Sequence, residues 1–556
     1  MAGDDQRAGP SALASLKRAA DWFARDNQDP AQPGQWLGRF LVLRLLGVVY
    51  LMAFLTLVNQ GPGLIGTHGL LPARDFMTAV GDELGGRGAG FLKMPTLFWL
   101  GAGDGAIAAV GWIGVVLSLV VVAGYANALL LAVLCALQIS VIDIGQDFYS
   151  FGWEIQLCET GFLCIFLCPL LDGRPFPRRP PPRAVIWLLC WLIARVMWGA
   201  GLIKLRGDSC WRDLTCLDFH FETQPVPSPL TPVFHFLPSW AHKVGVLFNH
   251  VVELAAPFLI LTPWRRARFV GGALTAALQI VLIASGNLAF LNWLTLVPIL
   301  ACFDDGLWRR VLPRGSVAPR HRRGVRLFFF YAAALPCFAW ERLVARAERA
   351  RAAAVPSRAQ GGAVAVLGVA VALLSIGPVV NMLSNKQLMN TSFTRLPLVN
   401  TYGAFGSVGR ERDQLVFEGT TDDEITPATV WRPYEFKCQP GDPARRPCWM
   451  SPYHHRLDWL LWFAAMGRPA DYPWAVHLTW KFLEADPAAL KLIRSDPFGG
   501  APPRYVRVQH YRYRFAPRGA PVWWTRERVD TWLPPVSRDN EELQIYLRRQ
   551  GWLRDR

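Results

Sequence analysis

Trp198-Gly199-Ala200-Gly201-Leu202-Ile203-Lys204-Leu205-Arg206-Gly207-Asp208-Ser209-Cys210-Trp211-Arg212-Asp213-Leu214-Thr215-Cys216 is the stretch on which the fold turns. An apolar helix ends within it, and a polar segment with two cysteines begins. Upstream, residues 185–203 are apolar over the length of a membrane crossing, which takes about 20 residues at ~1.5 Å each. Downstream, residues 204–245 mix acidic and basic side chains. The run marks a point where the chain leaves a membrane.

The same pattern recurs on both sides of it. Apolar blocks at 39–58, 106–123, 125–143, 151–171, 185–203, 246–262, 267–285, 287–303 and 361–383 predict nine spans. Composition agrees, with 52% hydrophobic and 18% charged residues, against about 25% charged in an average soluble domain. Beyond residue 383 the chain reads as water-soluble. The expected fold class is a polytopic α-helical membrane bundle of about nine spans followed by an α+β soluble C-terminal domain. The expected segments are a cytoplasmic 1–38, a transmembrane 39–383 with 204–245 as an outside loop, and an extracytoplasmic or lumenal 384–556.

The net charge of +16 is carried by arginines in short loops between apolar blocks. Arg174, Arg178, Arg179 and Arg183 fall in one loop, Arg265, Arg266 and Arg268 in another, and seven more in 309–326. Such loops stay cytoplasmic. With the N-terminus inside, nine crossings place the C-terminal domain outside. No nucleic-acid-reading motif accompanies the charge, so nucleic acid is not an expected partner. Residues 1–38 are polar and lack the apolar core of a cleavable signal, so the first helix is expected to act as an uncleaved anchor. Leu327 to Trp340 is apolar but short, holds Pro336 and is flanked by basic residues; it reads as an interfacial or re-entrant piece. If it spans, the C-terminal domain moves to the cytoplasmic side.

Charged groups inside a bilayer are costly and face a partner or a cavity. Counted from the outer helix ends, Glu159, Arg195, Glu253 and Gln279 fall at a similar depth, roughly 9–12 Å at ~1.5 Å per residue. They predict an intramembrane polar cluster with Arg195 between Glu159 and Glu253. His250 lies three residues from Glu253 and so on the same helical face, and Asn292 is placed to join. Two readings stay open: a structural ion-pair network, or a polar cavity for a ligand or proton chemistry. No zinc, nucleotide or phosphate motif is present, so no metal or cofactor is expected. With no GxSxG elbow, lipase chemistry is disfavoured and no catalytic residue is assigned. Gly199-Ala200-Gly201 reads as close helix packing.

Seven of the eleven cysteines lie in apolar blocks, where a thiol packs as a small hydrophobe. The other four form two close pairs in outside segments, Cys210 with Cys216 and Cys438 with Cys448. They read as disulfides in an oxidising space, with free thiols as the alternative. In the C-terminal domain, 415–419, 434–438 and 505–515 read as strands and 455–466 as an amphipathic helix. Tyr453, Trp459, Tyr511 and Tyr513 are candidates for a client-binding surface, or else they form the domain's core.

These stretches resemble the lipase maturation factor family. The similarity runs through Trp198 to Pro225, Ser285-Gly286-Asn287-Leu288-Ala289-Phe290-Leu291-Asn292-Trp293, Ala301-Cys302-Phe303-Asp304-Asp305 and Val399-Asn400-Thr401-Tyr402-Gly403-Ala404-Phe405-Gly406. It continues in Tyr434 to Cys448, Ser451 to Trp459 and His510-Tyr511-Arg512-Tyr513. The resemblance implies a multi-pass protein of the endoplasmic reticulum membrane that acts in folding and assembly of secreted, dimeric lipases. Its lumenal C-terminal part would contact the client, and it brings no catalytic residues. Residues 306–360 depart from the animal pattern. The Arg-, Ala- and Pro-rich composition suggests a GC-rich, bacterial genome, in which the compartment would be a plasma membrane. In a eukaryote the sequon at Asn390 would carry a glycan. The competing function is a membrane-embedded enzyme or lipid-handling protein that uses the Glu/Arg/His cluster.

Overall fold

A computed structural model describes residues 34–311 and 340–553. The expected cytoplasmic segment up to residue 33, the basic run at 312–326 and the apolar piece at 327–339 lie outside the described residues.

A helix forms in each of the nine apolar blocks: α1 (Trp36–Leu64), α2 (Asp104–Ala123), α3 (Ala128–Ile144), α4 (Gly152–Ile165), α5 (Arg183–Arg206), α6 (Ser239–Ile260), α7 (Arg265–Ser285), α8 (Leu291–Leu300) and α9 (Arg358–Leu383). Six of them, α1, α2, α5, α6, α7 and α9, are long and apolar enough to cross a membrane. At 17, 14 and 10 residues, α3, α4 and α8 fall short of a full crossing. Nine full-length spans are therefore not what forms. The block at 287–303 loses its first turn because Ala289 takes a positive φ of 51° and the Asn287 side chain bonds the C-terminal domain. The block at 151–171 stops short of its Pro169, which cannot continue a helix.

Chain direction alternates, so the helix ends fall into two sets. At one end, here called the domain end, α1 meets the C-terminal domain through Gln60, whose amide donates to the His454 carbonyl (2.6 Å). At the opposite, arginine-rich end, Asp305 accepts from the backbone N–H groups of Trp36 and Leu37 (2.9 Å each). That carboxylate satisfies N–H groups that the first turn of α1 leaves unpaired. Nearby, Arg265 pairs with Asp304 and Arg39 donates to the Arg179 carbonyl (2.9 Å). Arg44, on α1, reaches the carbonyl ends of α2 at Val121 and Gly124, where the helix dipole favours a cation. Gly47, Gly111 and Gly114 let α1 and α2 approach closely; a Cβ at Gly114 would strike the Phe54 ring.

The C-terminal domain holds one antiparallel sheet, ordered β2–β1–β3–β4: β1 (Arg412–Thr420), β2 (Arg432–Pro433), β3 (Tyr505–Phe515) and β4 (Trp524–Val536). Its three longer helices are α10 (Arg456–Ala464), α11 (Pro473–Leu483) and α12 (Glu541–Arg549). The two ends of β3 bury opposite faces. Val506 and Val508 are buried at one end, Tyr513 and Phe515 at the other, where Phe515 meets Phe236 of the long loop before α6. Tyr505, Tyr511, Tyr513 and Phe515 share a face by parity, as expected, but cover changes along it. Arg412 at the start of β1 is fully buried and donates to the carbonyls of Glu222, Gln224 and Pro225. The loop and the sheet are thus built as one body.

Candidate functional site

The run Trp198–Cys216 and the run Val399–Gly406 pack against each other. A Cβ at Gly199 would collide with the Tyr402 carbonyl, and one at Gly207 with the Gly406 carbonyl. Asp208 donates its N–H to the Gly406 carbonyl (2.9 Å), and the Trp211 indole donates to that of Phe405 (2.8 Å). Small residues here serve helix-to-chain contact. Gly201 alone serves helix-to-helix contact, against Glu253 and Leu254 of α6.

Beneath this seat lies the first ionic group. Arg195 of α5 pairs with Glu159 of α4, both fully buried. The second carboxylate oxygen accepts from the Tyr402 hydroxyl (2.7 Å), the Asn400 N–H (3.0 Å) and the Asn400 amide (3.3 Å). Arg195 also donates to the Asn400 carbonyl (2.8 Å). Chain that follows the last helix therefore closes the pair from above.

The expected single cluster divides into separate pairs. Glu253 lies apart from Arg195 and takes Lys204 (2.5 Å) and the Asn249 amide (2.9 Å). Gln279 accepts from the Asn292 amide (2.8 Å), a further separate pair. His250 lies away from Glu253 and meets the Trp211 carbonyl through Nε2 (3.0 Å). The cause is a π-helical turn at Val251–Ala255, which shifts the helical phase between the two residues. Lys204, Glu253, Gln279 and Asn292 line a cavity of about 420 Å³ roofed by Phe405, Trp459 and Trp462. His220 also lines it, and burial pulls its imidazole down to about 4, so it is neutral at physiological pH.

A third buried ion pair joins the two halves of the chain. Arg456, at the start of α10, pairs with Glu154 of α4 (2.7 Å), donates to the Phe148 carbonyl (2.6 Å) and lies 3.5 Å over the Tyr149 ring. Gln138 and Trp153 donate to the same carboxylate. No local sequence signal links Arg456 to Glu154; the pair follows only from docking.

The four aromatic candidates separate by burial. Trp459 is buried and packs edge-on against Trp153 with ring centroids 5.0 Å apart. Tyr513 is fully buried, its hydroxyl donating to the Gly441 carbonyl (2.6 Å). Both are core residues, which corrects their place on a client surface. Tyr453 and Tyr511 are half-buried. The Tyr453 hydroxyl accepts from Gln60 (3.1 Å) at the end of α1, while Tyr511 lies beside Arg526 on the β3–β4 face (4.7 Å).

Cys210–Cys216 and Cys438–Cys448 are disulfides with Cα separations of 4.8 and 5.4 Å. The second bridge holds the loop whose Cys448 carbonyl accepts from Asn287 (2.9 Å), so it braces the domain against the bundle. Replacing Cys438 and Cys448 together by serine is expected to lower stability by about 2–4 kcal/mol, read as a lower denaturation midpoint of the purified protein. An unchanged midpoint would show that the bridge braces nothing.

Comparison with known proteins gives two family matches, one in each half of the chain. The model described as "Lipase maturation factor transmembrane domain" matches residues 37–310. The one described as "Lipase maturation factor C-terminal domain" matches residues 398–534. Among curated proteins, Lipase maturation factor 1 of Bos taurus is 46% identical over 531 residues, covering 93% of this chain and 91% of that protein. The Homo sapiens counterpart is 44% identical, covering 93% and 90%. Lipase maturation factor 2 of Gallus gallus is 30% identical, covering 92% and 83%. No solved structure matches.

Proposed function

The chain belongs to the lipase maturation factor family, and on that premise we propose how it acts. It is a membrane maturation factor for lipases. Its bundle holds the outer domain at the membrane, and the exposed side of that domain receives lipase chains as they fold. The clients are secreted, dimeric lipases. The membrane is that of the endoplasmic reticulum, or the plasma membrane in a cell without one. The six long helices cross it, the shorter α3, α4 and α8 lie between them within the bundle, and residues 384–556 lie outside the cytoplasm. Support for this sidedness comes from the arginines at one end and the two disulfides at the other.

The observation that carries the proposal is the interlock of the two family domains through Glu154–Arg456 and Glu159–Asn400. A rigidly docked outer domain presents one fixed surface. On it, β4 is an edge strand, and residues 525–531 along it are exposed. Tyr511 of the neighbouring strand is half-buried beside them. An open edge with an aromatic neighbour suits an incompletely folded chain, which can add a strand and bury a side chain. The closed partners of Glu159 and Arg195 favour a structural role for that pair over chemistry.

The test is co-expression with secreted lipases in cells that lack their own factor. Active secreted lipase is expected only with this protein present, and no difference across several lipases would overturn the proposal. Tyr511→Ala with Val529→Asp is expected to reduce secreted activity about fivefold, the scale of a modest interface hot spot. Its unfolding temperature should stay close to the wild type, since Val529 is exposed and Tyr511 is only half-buried.

A further inference from the structure

We propose that the cavity among α4, α5, α6, α7 and α8 is a binding site for an uncharged single-chain lipid of the monoacylglycerol class. This goes beyond lipase maturation and does not depend on it.

The way in comes from the packing of α6 and α7. They meet closely near the arginine end, where Gly271 lies against Ala256, Leu259 and Ile260. Toward the domain end the cavity lies between them, with Gly245 and Phe248 on one side and Val281 and Leu282 on the other. Val281 is 43% exposed, and Leu247, Val251 and Ile280 beside the gap are exposed on the perimeter of the bundle. In a membrane that perimeter is hydrocarbon. A ligand entering there comes from the bilayer and has an apolar body. The volume of about 420 Å³ lies within the range of small-molecule sites, about 300–1,000 Å³.

The polar lining defines the head. Lys204 and Glu253 are the charged residues of the lining, and they neutralise each other. A charged headgroup would meet no net countercharge in a low-dielectric site, where an unpaired ion is strongly disfavoured. Gln279 and Asn292 spend one amide atom each on the other, and Gln156 spends its nitrogen on Thr295 (3.2 Å). That leaves Gln279 Nε2, Asn292 Oδ1 and Gln156 Oε1 without a protein partner among the described residues. That donor and those two acceptors belong to three residues that are each at most 3% exposed. Hydroxyl groups would fill the two acceptors, and an ester carbonyl the donor. A glycerol monoester carries both kinds of group on one acyl chain without charge.

The experiment uses the full-length protein in phosphatidylcholine nanodiscs with a monoacylglycerol that bears a photoreactive diazirine in its chain. Labelling is expected on peptides covering 245–252 and 278–285. Unlabelled monoacylglycerol should suppress it, and oleate and lysophosphatidylcholine should not. Leu282→Trp, which fills the gap, is expected to remove cavity labelling. Gln279→Leu, which keeps the shape, is expected to weaken it about fivefold through one lost hydrogen bond. If Leu282→Trp fails to fold, Gln279→Leu decides. Labelling confined to the outer perimeter, or unchanged in a folded Gln279→Leu protein, overturns the site. Equal competition by oleate overturns the uncharged class.

Discussion

Replacing Glu159 by alanine is expected to destabilise the protein by about 3–5 kcal/mol, the scale for breaking a buried pair by removing one partner. The carboxylate serves Arg195, the Asn400 N–H and amide, and the Tyr402 hydroxyl at once. Its loss leaves a fully buried guanidinium and a buried N–H unpaired, so the 399–406 segment loses its seat on α4 and α5. Thermal unfolding of the purified protein in detergent reads the effect, and secreted lipase activity should fall with it. The double variant Glu159→Met with Arg195→Met removes both charges and should recover part of the loss, as paired replacement does elsewhere. If Glu159→Ala unfolds at the wild-type temperature, the pair is not what closes this seam.

The second large effect is expected at Arg456. Arg456→Ala leaves Glu154 as a buried carboxylate and strips the Phe148 carbonyl of its donor. The expected cost is again about 3–5 kcal/mol. Here the loss should appear as undocking, with faster proteolysis in 384–411, the chain between the last helix and β1. Arg456→Lys keeps the charge but cannot hold Glu154 and the Phe148 carbonyl in one planar fork, so it should fall between the two. Wild-type protease resistance in a folded Arg456→Ala protein would separate the ion pair from docking.

Both residues show where sequence reasoning stops. The nine helical blocks were legible because apolar length and arginine loops are local signals. The two cysteine pairs were legible from spacing and side. Glu159 and Arg195 could be matched because depth along a helix is a simple count. Partners for Glu253 could not. Lys204 reads as the first residue beyond the membrane, yet it lies in the last turn of α5. The π turn at Val251–Ala255 changes which side of α6 faces it, and no periodicity carries that. Arg44 on the first span gives no sequence signal, because its partners are backbone carbonyls of α2, which leave no trace in side-chain pattern. Trp459 and Tyr513 stay open between surface and core in the sequence, because composition does not tell which face of helix α10 or which end of β3 is covered.

The docking also changes how the protein can be dissected. Asn400, Tyr402 and Arg456 all complete ionic groups inside the helical bundle. Removing residues 390–556 would take the cation from Glu154 and the Asn400 and Tyr402 donors from Glu159, so a truncated chain would report on the bundle's stability as much as on client binding. Point variants on the exposed strand surface separate the two.

In the proposed function the docked outer domain receives the lipase on its β3–β4 surface. The most direct measurement places a photocrosslinking amino acid at Tyr511 or, as a control, at Val380, which is 62% exposed on the perimeter of α9. Cells synthesising a secreted lipase are then illuminated. A crosslink is expected from Tyr511 to newly made, inactive lipase and none from Val380. Active lipase secreted without any crosslink from Tyr511, or a crosslink from Val380 alone, would contradict it.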